Sequence, residues 1–249
     1  MNPNYRKDGY FVVRSLFSED ELQPIKEVVL EFHELWKADN KEFYAERAIN
    51  SAYLTSTEYL DNAKRNVLFQ FIGSTKLMQV VAEVIPERPA FMNTQLFFNP
   101  VNELQKNYWH RDSQYGRSIE EQKQALEGPA VLHFRVPLVD EPGIELVPGT
   151  HRRWDTEEEL NVRLETNGHK NFEDLSTGKT IQLNAGDLLV FSATMMHRGL
   201  YGLDRLALDI LIAESDPRLM EFVHEDCLPD TETLAGLEDP TVFLNTLSY

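Results

Sequence analysis

Cysteine is almost absent from this 249-residue chain: Cys227 is the only one. An internal disulfide framework is therefore excluded, and thiolate-rich zinc or iron–sulfur sites are disfavoured. With no activating neighbour in the sequence, Cys227 reads as an inert thiol rather than a nucleophile. Positive charge is also scarce, with 24 Lys and Arg against 41 Asp and Glu and a formal net charge of −17. Blanket attraction to nucleic acid or an anionic membrane is not expected of such a chain. No apolar run is long enough to cross a bilayer, and the first residues, MNPNYRKDGYF, lack the apolar core of a signal peptide. The expectation is a soluble, cytoplasmic protein acting on a small molecule, with no nucleic-acid or membrane partner. Internal repeats, low-complexity tracts and interdomain linkers are missing too, so residues 1–249 are expected to form a single domain.

The hydrophobic share of 42% is enough for a sizeable core. Tyr10-Phe11-Val12-Val13 reads as a short strand. Ser18 followed by Glu21 forms a capping-box signature, and apolar residues at helical spacing predict a helix over Asp20–Lys37, with Pro24 tolerated in its first turns. His33 on that helix reads as a partly exposed residue. A second helical block runs from Asn62 to Val84, broken near Gly73-Ser74. Residues of about 18–85 are thus read as a helical layer covering a sheet.

The character then changes. Strands are predicted over 91–98, 130–138, 144–147, 180–183, 188–191 and 205–212, punctuated by tight turns at Glu141-Pro142-Gly143, Pro148-Gly149 and Asn184-Ala185-Gly186-Asp187. In 130–138, Leu132, Phe134, Val136 and Leu138 share one face while His133 and Arg135 share the other. In 205–212 the apolar face is Leu206, Leu208, Ile210 and Ile212, opposite Arg205, Ala207 and Asp209. Antiparallel strands show this when one face is solvated, and also when one face packs on helices and the other lines a wet cavity. The fold expected is mainly β with flanking helices: a double-stranded β-helix, or jelly-roll, cupin-like barrel, over about 90–215. The polar segment from Arg152 to Thr177, with Trp154, reads as either a lid or an idle surface insertion.

The chemistry is concentrated at Trp109-His110-Arg111-Asp112. In an extended segment, His110 and Asp112 point to one side and can take two positions on one metal ion. A second histidine would complete the two-histidine, one-carboxylate set of non-haem iron(II) oxygenases. The dipeptide spacing is common by chance and recurs at His224-Glu225-Asp226, which has no histidine downstream and reads as solvated surface. Of His133, His151 and His197, the last has the best context, closing a hairpin turn and an apolar strand that deliver it to a rim. Eight residues on, Arg205 opens the next strand on its polar face. There a guanidinium suits the distal carboxylate of a 2-oxo acid chelated to the metal.

In its order of motifs the chain resembles the phytanoyl-CoA dioxygenase superfamily of iron(II)- and 2-oxoglutarate-dependent oxygenases. The matching stretches are Asp8-Gly9-Tyr10-Phe11-Val12-Val13 leading into Phe17-Ser18-Glu19-Asp20-Glu21-Leu22, then Trp109-His110-Arg111-Asp112 and Val147-Pro148-Gly149-Thr150-His151-Arg152. Ala185-Gly186-Asp187-Leu188-Leu189-Val190-Phe191 before His197, and Arg205-Leu206-Ala207-Leu208, complete the set. The resemblance implies a double-stranded β-helix with His110, Asp112 and His197 as ligands of Fe(II), and Arg205 holding 2-oxoglutarate. It further implies that dioxygen and 2-oxoglutarate are consumed while an unactivated C–H bond is hydroxylated; His133 and Arg135 in the cavity would suit a small, polar or anionic metabolite. Asn99 stands where members often carry a lysine before Pro100, so another residue must supply that contact; Gln95 and Arg135 are the candidates. Asp112 itself argues for oxygenation, since related halogenases have a small residue there.

Asn93, His133, Arg135, Trp109 and Tyr115 are expected to face substrate. For Arg135, a substrate role stands beside a cosubstrate or structural one. Two other readings fit parts of the pattern. One is a cupin-type metalloenzyme that does not use 2-oxoglutarate, against which Arg205 counts. The other is a non-catalytic ligand-binding barrel, against which the intact ligand set counts.

Overall fold

A computed structural model describes all residues from Met1 to Tyr249. Nine strands run β1 (Tyr10–Val13), β2 (Asn50–Ala52), β3 (Pro89–Phe98), β4 (Val131–Pro137), β5 (Glu141–Leu146), β6 (Lys179–Leu183), β7 (Leu188–Ser192), β8 (His197–Gly199) and β9 (Leu206–Glu214). Every pairing is antiparallel. A six-stranded sheet has the order β1-β7-β4-β9-β3-β2, and a three-stranded sheet has the order β6-β5-β8. His110 adds a bridge to His197 at the free edge of the smaller sheet. The turn at Asn184–Asp187 therefore does not close a hairpin: β6 and β7, which it joins, belong to opposite sheets. This crossing between sheets is what makes a jelly roll of the double-stranded β-helix type.

The alternation in β4 and β9 decides which side is dry. Leu132, Phe134, Val136, Leu208, Ile210 and Ile212 are fully buried in one 39-residue cluster with the helices. The covering helices are Glu19–Asp39, Asn62–Ile72 and Thr75–Val84. The first starts as predicted: Ser18 N–H donates to Glu21 Oε2 at 2.8 Å, and Glu21 N–H donates back to Ser18 Oγ at 3.4 Å. His33, expected to be partly exposed, is buried among Trp36, Tyr44 and Phe98, and burial lowers its pKa to about 4. Short helices at Pro3–Asp8, Lys41–Glu46 and Thr241–Leu247 have too little periodicity to be read from sequence. The last packs on β3, with Phe243 against Phe91. No single helix is long and apolar enough to cross a membrane.

The opposite face of the larger sheet looks at the smaller one. Cross-strand register places Gln95, Asp209 and Arg135 in one row and Asn93, Leu211 and His133 in the next. A bulge in β5 between Glu141 and Ile144 is built on Gly143, whose φ is +92°. A Cβ there would lie 1.8 Å from the Ile181 carbonyl oxygen, so only glycine fits. Through this bulge Glu141 is fully buried against Arg135.

Candidate metal centre

His110 and Asp112 do not lie on a regular strand. His110 makes the single bridge to His197, and Asp112 begins a short 3-10 turn, Asp112–Gln114. The bridge is reciprocal: each backbone N–H of the two histidines donates to the other's carbonyl at 2.9 Å. Main-chain pairing thus fixes the two imidazoles side by side, with ring centroids 4.2 Å apart. His110 Nδ1 lies 3.1 Å from the Tyr108 carbonyl, and His197 Nδ1 lies 2.9 Å from that of Met195. Carbonyls only accept, so both Nδ1 atoms carry the proton and both Nε2 lone pairs are left free. Each Nε2 is 3.5 Å from Asp112 Oδ1, and one ligand atom from each of the three residues falls within a 4.8 Å group. Two neutral imidazoles and one carboxylate oxygen converging on a point suit a divalent first-row metal. Burial, followed by the neighbouring His110, lowers His197 to about pKa 3, and burial also lowers His110. Neutral rings are the form a metal needs.

The other oxygen of Asp112 is already taken. His133 Nε2 lies 2.7 Å from Asp112 Oδ2, and His133 Nδ1 lies 3.1 Å from Asp209 Oδ2. Burial opposes a charge on His133, but the two carboxylates outweigh it and raise the ring to about pKa 9. Burial likewise works against ionisation of Asp112, yet the His133 hydrogen bond and the surrounding imidazoles hold its carboxyl well below the usual range. From Asp209 the chain of charges continues. Arg135 Nη1 donates to Asp209 Oδ1 at 2.9 Å, and Arg135 Nε and Nη2 donate to the two oxygens of Glu141, both at 2.9 Å. Glu141 Oε2 is 3.5 Å from Arg205 Nε. Asp112, His133, Asp209, Arg135, Glu141 and Arg205 thus form a ladder of alternating sign running the length of the cavity floor.

Only the two ends of the ladder remain free. At one end is Asp112 Oδ1, facing the imidazoles. At the other, Arg205 is 3% exposed, has no hydrogen-bond partner for any guanidinium nitrogen, and has Nε among the unpartnered buried atoms. Burial, then the like charge of Arg135, lowers its pKa to about 10, which leaves it a cation at neutral pH. Gly199 makes room for it, since a Cβ there would lie 2.5 Å from Nη2. A buried, unpartnered guanidinium calls for an anion. Both ends of the ladder open into one cavity of about 700 Å³, also lined by Gln95, Phe97, Tyr108, Tyr115 and Tyr201.

The sequence-predicted residues divide accordingly. His110, Asp112 and His197 are brought together, and Arg205, Gln95, His133, Arg135 and Tyr115 line the same cavity. Trp109 does not: it is fully buried with Val147, Val162, Leu175 and Met196, outside the cavity. Alternation along an extended segment turns it away when His110 turns in. Asn93 is not among the lining residues either, and its side-chain oxygen accepts from the Thr94 N–H at 2.7 Å. His133 and Arg135 face the cavity but are neutralised by carboxylates, so neither is available to an anionic substrate. Sequence reading missed Asp209 and Glu141 as their partners. The polar face shared by Arg205 and Asp209 was the only signal for one, and nothing announced the bulge that turns in the other.

The 152–177 segment is not an idle insertion. Arg111, fully buried, donates from Nη2 to Asp155 at 2.6 Å, and Arg163 donates to the other Asp155 oxygen at 2.6 Å. Both guanidinium groups lie over the Trp154 ring. The insertion therefore braces the residue between His110 and Asp112. Asp155→Asn keeps the shape but leaves two buried arginines without their shared counter-ion. A loss of about 1–3 kcal/mol is expected, read as a lower denaturant midpoint at unchanged slope. A midpoint equal to wild type would show that the brace carries no stability.

His151 packs against Gly9 with neither ring nitrogen bonded, and His224 stacks on Tyr53 at the surface, so neither joins the centre. Cys227 is buried, which raises its thiol to about pKa 12 and leaves it inert.

Solved structures share this arrangement of sheets. HygX from Streptomyces hygroscopicus with nickel and 2-oxoglutarate bound superposes with a TM-score of 0.58 at 16% identity, over 84% of each chain. EctD from S. alaskensis with bound Fe gives 0.58 at 15% identity, over 85% of this chain and 75% of that one. The epimerase SnoN, in complex with Fe3+, alpha ketoglutarate and nogalamycin RO, gives 0.52 at 16% identity, over 85% and 81%. At these identities the likeness establishes the fold. No curated protein sequence matches the chain. The family model for phytanoyl-CoA dioxygenase (PhyH) matches residues 5–200, and with that match the chain belongs to the phytanoyl-CoA dioxygenase family.

Proposed function

We propose that this protein is an Fe(II)- and 2-oxoglutarate-dependent dioxygenase that hydroxylates an unactivated C–H bond of a small, polar metabolite. One observation carries the reading. Two imidazole lone pairs and a carboxylate oxygen converge in the same cavity as a buried guanidinium that donates no hydrogen bond. His110, Asp112 and His197 would hold the iron, and Arg205 would take the distal carboxylate of 2-oxoglutarate. When bound, the metal and cosubstrate supply the activation of dioxygen and the oxidising power for C–H cleavage. The chain's own part is positional. The Tyr108 and Met195 carbonyls orient the two imidazoles, and His133 occupies the second oxygen of Asp112, leaving one oxygen for the metal. Gln95, beside Asp209 and Arg135 in the sheet, would supply a further cosubstrate contact. No side chain needs to act as a general base.

The anionic-substrate alternative loses its two cations to Asp112, Asp209 and Glu141. A cupin-type enzyme independent of 2-oxoglutarate has no use for the free guanidinium of Arg205. Oxygen-dependent formation of succinate from 2-oxoglutarate by the iron-loaded protein is the expected result. Its absence under conditions where iron is bound would end the reading. Arg205→Ala removes a charge-assisted bond of roughly 1.5–3 kcal/mol, so the KM for 2-oxoglutarate should rise between about 10- and 150-fold. Arg205→Lys should recover part of it. An unchanged KM in both variants would place the cosubstrate elsewhere. Product analysis separates hydroxylation from other outcomes such as desaturation or ring closure.

A further inference from the structure

A second cavity, of about 510 Å³, is bordered by Asp112. Asp112 and Leu211 are the two residues that line both cavities, whereas His110, His197 and Arg205 line only the first. The two cavities differ in character. Met92, Val131, Leu211, Leu219 and Phe222 give the second an apolar wall, and no member of the charge ladder other than Asp112 enters it. Among the polar residues of its lining, Arg218 pairs with Asp216 at 2.8 Å.

We infer that this second cavity is the substrate site, and that it takes a molecule with a compact apolar body. The inference rests on the proposed oxygenase function and replaces its polar metabolite with a largely apolar one. The cosubstrate enters from the polar side and the substrate from the apolar side, and the two meet at the iron beside Asp112. Leu211 is the partition. It sits on β9 two residues from Asp209, facing inward in register with Asn93 and His133. It keeps the apolar body out of the Arg205 cavity and determines how closely a C–H bond approaches. The cavity volume is within the range of small-molecule sites and suits a ring or short branched chain.

The test uses 4-fluorobenzyl alcohol, a neutral apolar ring with one hydroxyl, and the full-length protein loaded with Mn(II) and 2-oxoglutarate without oxygen. Paramagnetic relaxation of the fluorine reports both binding and closeness to the metal. Wild type should bind the probe with enhanced relaxation that disappears when Zn(II) replaces Mn(II). Val131→Trp, which fills the cavity, and Phe222→Asp, an exposed change at its mouth, should each weaken binding at least tenfold without altering 2-oxoglutarate affinity. Gln105→Trp, in the first cavity, should leave probe binding unchanged. Wild-type affinity in both Val131→Trp and Phe222→Asp would overturn the assignment. So would loss of binding in Gln105→Trp alone, relaxation independent of the metal, or no binding to wild type loaded with metal and 2-oxoglutarate. A wild-type protein that binds neither Mn(II) nor 2-oxoglutarate instead fails the underlying reading, and that failure is visible before any probe is added.

Discussion

Asp112→Ala is expected to abolish succinate formation from 2-oxoglutarate and to weaken metal binding by more than about 100-fold. Loss of an outer partner of a ligand typically costs about 10- to 100-fold, and here a ligand itself is removed. The geometry makes Asp112 harder to replace than either histidine. Its Oδ1 is 3.5 Å from both Nε2 atoms, so it is the only anion at the convergence point. Its Oδ2 anchors His133, which carries the next positive charge of the ladder. Alanine therefore removes a ligand and also exposes His133 to two imidazoles with no intervening negative charge. His110 and His197 would stay fixed by their main-chain bridge, since neither reciprocal N–H bond involves Asp112. The variant should accordingly remain folded, with a circular dichroism spectrum like that of wild type. Isothermal titration of the anaerobic protein with Fe(II) and a coupled succinate assay give the two readouts. Wild-type succinate production by a folded Asp112→Ala protein would remove Asp112 from the centre. Near-normal iron affinity with lost turnover would instead assign it to cosubstrate or substrate positioning.

That the three ligands would meet was legible from sequence, because each carries a local signal. His110 and Asp112 share a spacing, and His197 closes an apolar strand followed by Arg205. The large sheet was legible for a similar reason. Leu132, Phe134 and Val136 alternate with His133 and Arg135, and period-2 alternation with one dry face is the strongest signature a strand can have. Partnerships were not legible. Asp209 and Glu141 find Arg135 through sheet register and a glycine bulge, and both depend on pairings across 74 and 6 residues that no local pattern encodes. Trp109 was misplaced by its neighbourhood. It stands beside a ligand in sequence but on the other side of the chain in space, where the Arg198 guanidinium covers its ring. The role of residues 152–177 was hidden because Asp155 gains meaning only when Arg111 and Arg163 converge on it.

The centre of the ladder is where a single substitution should cost most stability. Arg135 is 1% exposed and satisfies Asp209 and Glu141 at once, themselves 1% and 0% exposed. Burial opposes its charge, but the two carboxylates prevail and raise its pKa further. Arg135→Met retains much of the aliphatic volume and removes the charge, leaving two buried carboxylates that share no cation. Removing one partner of a buried pair typically costs roughly 3–5 kcal/mol. Two carboxylates lose a partner at once, although Asp209 keeps His133 at 3.1 Å. The relief available to the protein is informative. Glu141 Oε2 is already 3.5 Å from Arg205 Nε. Freed from Arg135, Glu141 can close on Arg205 and neutralise the guanidinium that awaits the cosubstrate. Arg135→Met should therefore raise the KM for 2-oxoglutarate more than it changes kcat, a split that simple loosening of the sheet would not produce. Adding Glu141→Gln to Arg135→Met removes the competing anion. The double variant should recover both part of the lost stability and most of the lost cosubstrate affinity, and a double-mutant cycle separates the coupling from the individual losses. If Arg135→Met destabilises the protein but leaves the KM unaltered, the ladder is structural scaffolding alone. If the double variant restores the KM, Arg135 keeps Arg205 free by holding Glu141 away from it.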